Sequence, residues 1–212
     1  MLSVILKGHD FKYEVAELIK LFTTQFNFAD RKDVGMTLEN SVVYYNDKVF
    51  AKTIYFENYQ AMYDHLDHRS IEGLSEQEIK KVTKETIKRS MYNVLMKKFN
   101  SYVPWGILTG IRPVKIVHNL LDQNLSDEKI RENLKTNYLI SDEKIDLALS
   151  IAKRERRFIY PIDENKISLY VSIPFCPTRC YYCSFPAHPL KQFGHLKKTY
   201  LEKLIIEIKG LA

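Results

Sequence analysis

The chain's three cysteines, Cys176, Cys180 and Cys183, fall within eight consecutive positions of "VSIPFCPTRCYYCSF" (171–185). An odd number of thiols with no partner elsewhere argues against a disulfide framework and for a metal or redox site. The C-x3-C-x2-C spacing lets a tight loop wrap its thiolates around one compact centre. Structural zinc prefers four protein ligands, and a cubane iron–sulfur cluster usually takes four cysteines, one per iron. Three cysteines leave one iron without a protein ligand, open to a small molecule. Two other readings stand beside this one. Cysteines can serve as small buried hydrophobes, and His188, five residues after Cys183, could complete a Cys3His zinc site. The aromatic and apolar flanks ("IPF", "YY", "SF") suit a buried cofactor better than a small zinc knuckle.

Other residues with chemical potential are more scattered. His65 and His68 could share a metal, or form a solvated pair. Arg112 in "GIRP" could hold a carboxylate bidentately or cap a turn. Lys115 and His118, one turn apart, carry no decided role. Between Gly73 and Val103, seven basic residues (Lys80, Lys81, Lys84, Lys88, Arg89, Lys97, Lys98) face three acidic ones. That surplus could attract nucleic acid or an acidic small molecule, or form a solvated helix face.

The elements that must position these groups follow from periodicity. With 212 residues, 45% of them hydrophobic and 27% charged, the composition is that of a folded protein with room for two domains. No apolar run reaches the length of a membrane span or a signal-peptide core, which predicts a cytoplasmic protein. "SVILKG" (3–8) reads as a strand, "KYEVAELIKLFTTQF" (12–26) as a helix, and "SVVYYNDKVFAKTIYF" (41–56) as two strands turning at Asn46-Asp47. Residues 1–60 are thus expected to form a small β-α-β-β unit, and 61–160 a mainly helical region. Ser75 and Glu78 predict a capping box opening a helix to about Val103. Pro113 suits the first turn of the next helix, and Ser126 and Ser141 each cap another, the last running to about Phe158. "YPIDEN" (160–165) is the expected boundary. Beyond it, "ISLYVSIPF" (167–175) alternates as a strand, and 195–211 carries a helical stripe of Leu196, Tyr200, Leu204 and Ile208. Strand, cysteine loop and helix make one βα unit over 161–212, so the expected class is α/β.

The stretch "LYVSIPFCPTRCYYCSF" resembles the signature of the radical S-adenosylmethionine (SAM) superfamily. More narrowly it is similar to the oxygen-independent coproporphyrinogen III oxidase family, whose strand runs "Y-V-x-I-P-F-C" into the motif. "PWGILTGIRPVKIVHNLLDQNLSDEKI" is similar to the branch known as coproporphyrinogen dehydrogenase of the Firmicute type. The resemblance implies an α+β N-terminal region followed by the start of a partial TIM-type barrel. It implies a [4Fe-4S] cluster on Cys176, Cys180 and Cys183, SAM on the fourth iron, and Tyr170 and Tyr182 near SAM. It further implies oxidative decarboxylation of coproporphyrinogen III in haem biosynthesis, with a porphyrinogen substrate and a flavodoxin- or ferredoxin-type electron donor. Ser172 stands where many relatives carry His, and Phe185 where the best-studied oxidases carry a fourth cysteine. Haem-handling relatives also lack that cysteine, so haem transfer is the nearer alternative. A zinc-containing nucleic-acid-binding module is the alternative from another class. Because such a barrel needs several further βα units, the expectation is a fragment of a longer enzyme, inactive alone.

Overall fold

The computed structural model describes residues 1–32, 34–160, 165, 167 and 169–211. It is a mixed α/β structure that divides into two compact units, Met1–Pro161 and Ile162–Ala212. Of the expected boundary segment, 161–164 lie outside the described residues.

In the first unit, β1 (Leu2–Lys7), β2 (Phe26–Phe28), β3 (Met36–Tyr45), β4 (Lys48–Glu57) and β5 (Gln60–Ser70) form one sheet of order β2-β1-β3-β4-β5. β1 runs parallel to β2 and β3, and the β3-β4-β5 meander is antiparallel. The turn at Asn46-Asp47 has φ of 47° and 53°. Positive φ at both central residues is what a two-residue hairpin needs. Alternation then sends Leu38, Asn40 and Val42 of β3, and Val49, Ala51, Thr53 and Tyr55 of β4, into the interior. Helices α1 (Lys12–Ile19) and α2 (Glu76–Phe99) cover them, contributing Val15, Leu18, Ile87, Met91 and Leu95 to the same core.

Within the first unit, three elements depart from the sequence expectation. Helix α1 stops at Ile19, not near residue 26, and the Thr23 hydroxyl accepts the Gln25 N–H at 3.1 Å. A side chain offering the backbone such a bond competes with the helix. Phe26 then opens β2, and Phe22 packs against Tyr92 and Phe99. Strand β5 replaces the start of the expected helical region. Its inward residues are charged: Asp67 accepts from Arg89 of α2 at 2.5 Å, and Arg69 bonds Glu85 at 2.9 Å. Charge, not hydrophobicity, marks this edge strand.

Helix α2 begins with the expected capping box, the Ser75 N–H donating to Glu78 at 2.9 Å, and ends at Asn100 in the left-handed region. At its centre Asn40 Nδ2 donates to Thr53 Oγ1 (2.7 Å) and Ser90 Oγ (3.1 Å), and these two hydroxyls lie 2.6 Å apart. The amide oxygen of Asn40 is thereby the acceptor for His9 Nε2 at 2.8 Å, and His9 Nδ1 accepts the Phe11 N–H. Burial lowers the His9 pKa, because the charged ring loses hydration.

Helices α3 (Pro113–Asp122), α4 (Asp127–Tyr138) and α5 (Asp142–Ile159) surround a second core of Val117, Leu120, Ile130, Leu134, Ile145 and Leu149. Pro113 opens α3, and Ser126 and Ser141 cap α4 and α5. Gly106 has a φ of +57°, and a Cβ there would collide with the Tyr138 and Leu139 carbonyls, so only glycine lets this loop reach the end of α4.

The second unit contains β6 (Phe175–Cys176), β7 (His188–Pro189), α6 (Leu190–Phe193), a 3-10 turn over 194–196 and α7 (Lys197–Leu211). The strand expected over 167–175 is reduced to the two residues of β6, paired in parallel with β7; Ser168 lies outside the described residues. Leu169, Val171 and Ile173 are exposed, and no described residue of this unit is fully buried. A parallel strand needs a ladder and a covering layer on its faces, and here the alternating apolar side chains have neither. The α7 stripe of Tyr200, Leu204 and Ile208 is half-buried at the predicted spacing.

Asn40→Ala removes the hydrogen bonds to buried Thr53 and Ser90 and to half-buried His9 and should cost about 1–3 kcal/mol in urea unfolding, whereas Glu132→Ala on exposed α4 should change stability by less than about 0.5 kcal/mol. Because the folded state lowers the His9 pKa, protonation favours unfolding. The contribution of His9 is therefore held above the ordinary histidine value and lost as pH falls through the lowered one. Denaturation midpoints between about pH 7 and 5 should decline, and His9→Gln should flatten that slope.

Candidate metal centre

The cysteine loop starts where β6 ends. The His188 N–H donates to the Pro174 carbonyl at 2.7 Å, tying the two ends of the loop together. Inside it the Cys183 N–H donates to the Cys180 carbonyl at 3.0 Å, a tight turn that brings the second and third cysteines near each other in the chain's path. No cysteine is in a disulfide; Cys176 and Cys183 are half-buried and Cys180 is exposed. Below β6, Phe175 meets Tyr200 edge-on with ring centres 5.4 Å apart, and the Tyr200 hydroxyl donates to the Ser172 carbonyl at 2.5 Å. Helix α7 thus props the strand end that delivers Cys176.

His188, the candidate fourth ligand for zinc, packs instead among aromatic rings, 5.1 Å from Phe193 and 6.3 Å from Phe175. Together with Pro174 and Tyr200 they line a cavity of about 390 Å³. Among the described residues, no three His, Cys, Asp or Glu side chains are gathered tightly enough to hold a metal ion. By chemistry the donor set nevertheless fits a sulfur-bound metal. Three unpaired soft thiols are separated by only three and two residues, each within reach of one centre. Binding a metal would displace the thiol protons and draw the three sulfurs together, so closing the shell is coupled to binding. Tyr170 and Tyr182 are 82% and 88% exposed.

The remaining sequence candidates resolve differently. His65 and His68 lie on β5, not on a helix, so an i, i+3 spacing puts them on opposite faces of the sheet. His68 stacks on Phe50 at 5.5 Å, and the pair cannot share a metal. His118 bonds Glu155 at 2.9 Å across α3 and α5. Arg112 forms the N-terminal boundary of α3 without a side-chain cap, and Lys115 follows it in the first turn. What the sequence did not reveal is that these two face Lys81 of α2 across a groove. Beside an adjoining cavity, burial lowers the Lys88 pKa, and Lys88 Nζ donates to Thr109 Oγ1 at 2.8 Å. Burial, with Glu85 adding its charge, pushes the Tyr138 phenol up to about 12.

Comparison with known proteins bears on the chain at this point. Over 121 residues, 56% of this chain, it is 40% identical to the oxygen-independent coproporphyrinogen-III oxidase-like protein HemZ of Bacillus subtilis (strain 168). The chain is similar to a coproporphyrinogen oxidase-like protein. The matched segment spans 24% of that relative's length. No family model and no solved structure matches the chain. No described helix is long and apolar enough to cross a membrane.

The exposures order the thiols by reactivity in the metal-free chain. Iodoacetamide under anaerobic conditions should alkylate Cys180 first and Cys176 and Cys183 more slowly. Peptide mass spectrometry over a time course reads that order directly, and equal rates at all three would contradict it.

Proposed function

We propose that this chain carries the cluster loop of a radical SAM enzyme that oxidises coproporphyrinogen III without oxygen in haem biosynthesis. The observation that carries the reading is the compact set of unpaired cysteines, Cys176, Cys180 and Cys183, in a chain 40% identical over 121 residues to HemZ. The three thiolates would hold a [4Fe-4S] cluster, leaving one iron for SAM. When bound, cluster and SAM supply a one-electron reductive cleavage that starts hydrogen abstraction from a propionate side chain.

The chain's own residues bind and orient. Pro174 and His188 clamp the base of the loop, so the cysteines are presented on a short hydrogen-bonded bridge and not on a free segment. Tyr182, next to Cys183, would lie against the adenine, and Tyr170 would contact SAM from the approach to β6. Their solvent-facing rings leave both free to cover an arriving ligand. The electron would come from a flavodoxin- or ferredoxin-type donor, and the cytoplasm is the compartment in which such thiols stay reduced.

Anaerobic reconstitution followed by iron and sulfide analysis, with EPR after dithionite reduction, tests the reading. About four iron and four sulfide per chain are expected, with a spectrum that changes on adding SAM. Cys176→Ala, Cys180→Ala or Cys183→Ala should each abolish stable incorporation. One zinc per chain, no sulfide and no response to SAM would overturn the proposal in favour of a zinc module.

A further inference from the structure

The groove between α2 and the segment that enters α3 lies wholly within the first unit and has no part in the cysteine loop. Two adjoining cavities of about 380 and 390 Å³ share Lys81, Glu85, Ile111 and Tyr138 as walls. Their combined size is that of a small-molecule site. The floor is apolar, formed by Ile107, Leu108, Ile111 and the Tyr138 ring.

The rim is cationic. Lys81, Lys84 and Lys88 recur on one face of α2 at helical spacing, a row about 10 Å long at 1.5 Å per residue. Arg112 and Lys115 share a cavity with Lys81 at one end of this row. The acidic residues here are already engaged: Glu14 pairs with Lys84, and Glu85 with Arg69 at 2.9 Å. Lys80, Lys81, Arg112 and Lys115 form no ion pair among the described residues. Lys88 reaches only the neutral Thr109 hydroxyl and the Ile107 carbonyl, with no carboxylate in contact. An apolar floor under converging unpaired cations matches an anion that also carries a sizeable apolar body. A nucleic-acid track would instead be an extended basic surface with exposed aromatic platforms, and the one aromatic ring in this groove is half-buried Tyr138.

We propose that this groove is a binding site for an amphipathic polycarboxylate with an apolar ring body. Resting on the function proposed above, the class is narrowed to a tetrapyrrole bearing several propionates, held here by residues of the first unit alone. The apolar ring system covers Ile107, Leu108 and Ile111, while carboxylates meet Lys81, Arg112 and Lys115. Charge-assisted bonds of this kind contribute most where the surroundings are partly desolvated.

Titration of the full chain with coproporphyrin III, the stable oxidised tetracarboxylate, followed by porphyrin fluorescence, tests the site. Saturable binding is expected, weakened by about tenfold or more in Lys81→Glu/Lys115→Glu and in Arg112→Glu. Lys135→Glu/Lys153→Glu, which reverses the same charge elsewhere on the helical layer, should bind as the parent does. The triple variant Cys176→Ala/Cys180→Ala/Cys183→Ala should also bind unchanged, so loss of the cluster and loss of the groove are read separately. Equal affinity in all charge variants, absence of saturable binding, or loss of binding in the cysteine variant would overturn the proposal. So would preferential, salt-sensitive binding of a single-stranded oligonucleotide that Lys81→Glu/Lys115→Glu abolishes.

Discussion

The first unit depends on the seating of α2 against the sheet. One face of this 24-residue helix is committed to the interior, where Ile87, Met91 and Leu95 join the apolar face of β1, β3 and β4. Burial of large side chains there contributes roughly 1.5–3 kcal/mol each, but it does not by itself fix the helix's rotation or register. The Asn40–Thr53–Ser90 contacts do that, because three buried polar groups are satisfied only when Ser90 sits over the Asn40–Thr53 pair. Once that register is set, Arg89 and Glu85 meet Asp67 and Arg69 of β5, and Arg89 also donates to the Thr136 carbonyl at the end of α4. Sheet, long helix and helical layer are locked by one placement. Its consequence on the other flank of α2 is a row of lysines with few carboxylates left to neutralise them.

Local signals survived translation into structure wherever they arose from neighbours in the chain. The Ser75–Glu78 box, the Ser126 and Ser141 caps, Pro113 at the start of α3 and the Asn46-Asp47 hairpin all depend on residues within a turn of one another. Where tertiary partners decide, the sequence was ambiguous. β5 is polar in composition because its inward carboxylate and guanidinium are matched by groups on α2, some twenty residues later. The turn before it places Asn58 and Tyr59 at positive φ, and a tyrosine there gives little warning. The 167–175 alternation fails for the opposite reason, since its apolar face meets no covering layer among the described residues.

The same division holds for the sites. The cysteine loop could be picked out as a candidate because its three thiols fall within eight consecutive residues. The groove was not legible, since α2, the loop containing Ile107 and Leu108, and the start of α3 become neighbours only through folding. Gly106 is the hinge of that assembly, because a side chain there would push the loop off α4. In the second unit the thiols stand on a small hydrogen-bonded bridge with little buried surface around it, so metal binding would itself be a major source of local order.

Mössbauer spectroscopy of the protein reconstituted with iron-57, recorded before and after adding SAM, tests the central claim most directly. A cluster held by Cys176, Cys180 and Cys183 has one iron in four without a protein thiolate. SAM should therefore shift about a quarter of the spectral area to a distinct, higher-coordinate site and leave the rest unchanged. Four equivalent irons indifferent to SAM, or no cluster at all, would contradict it.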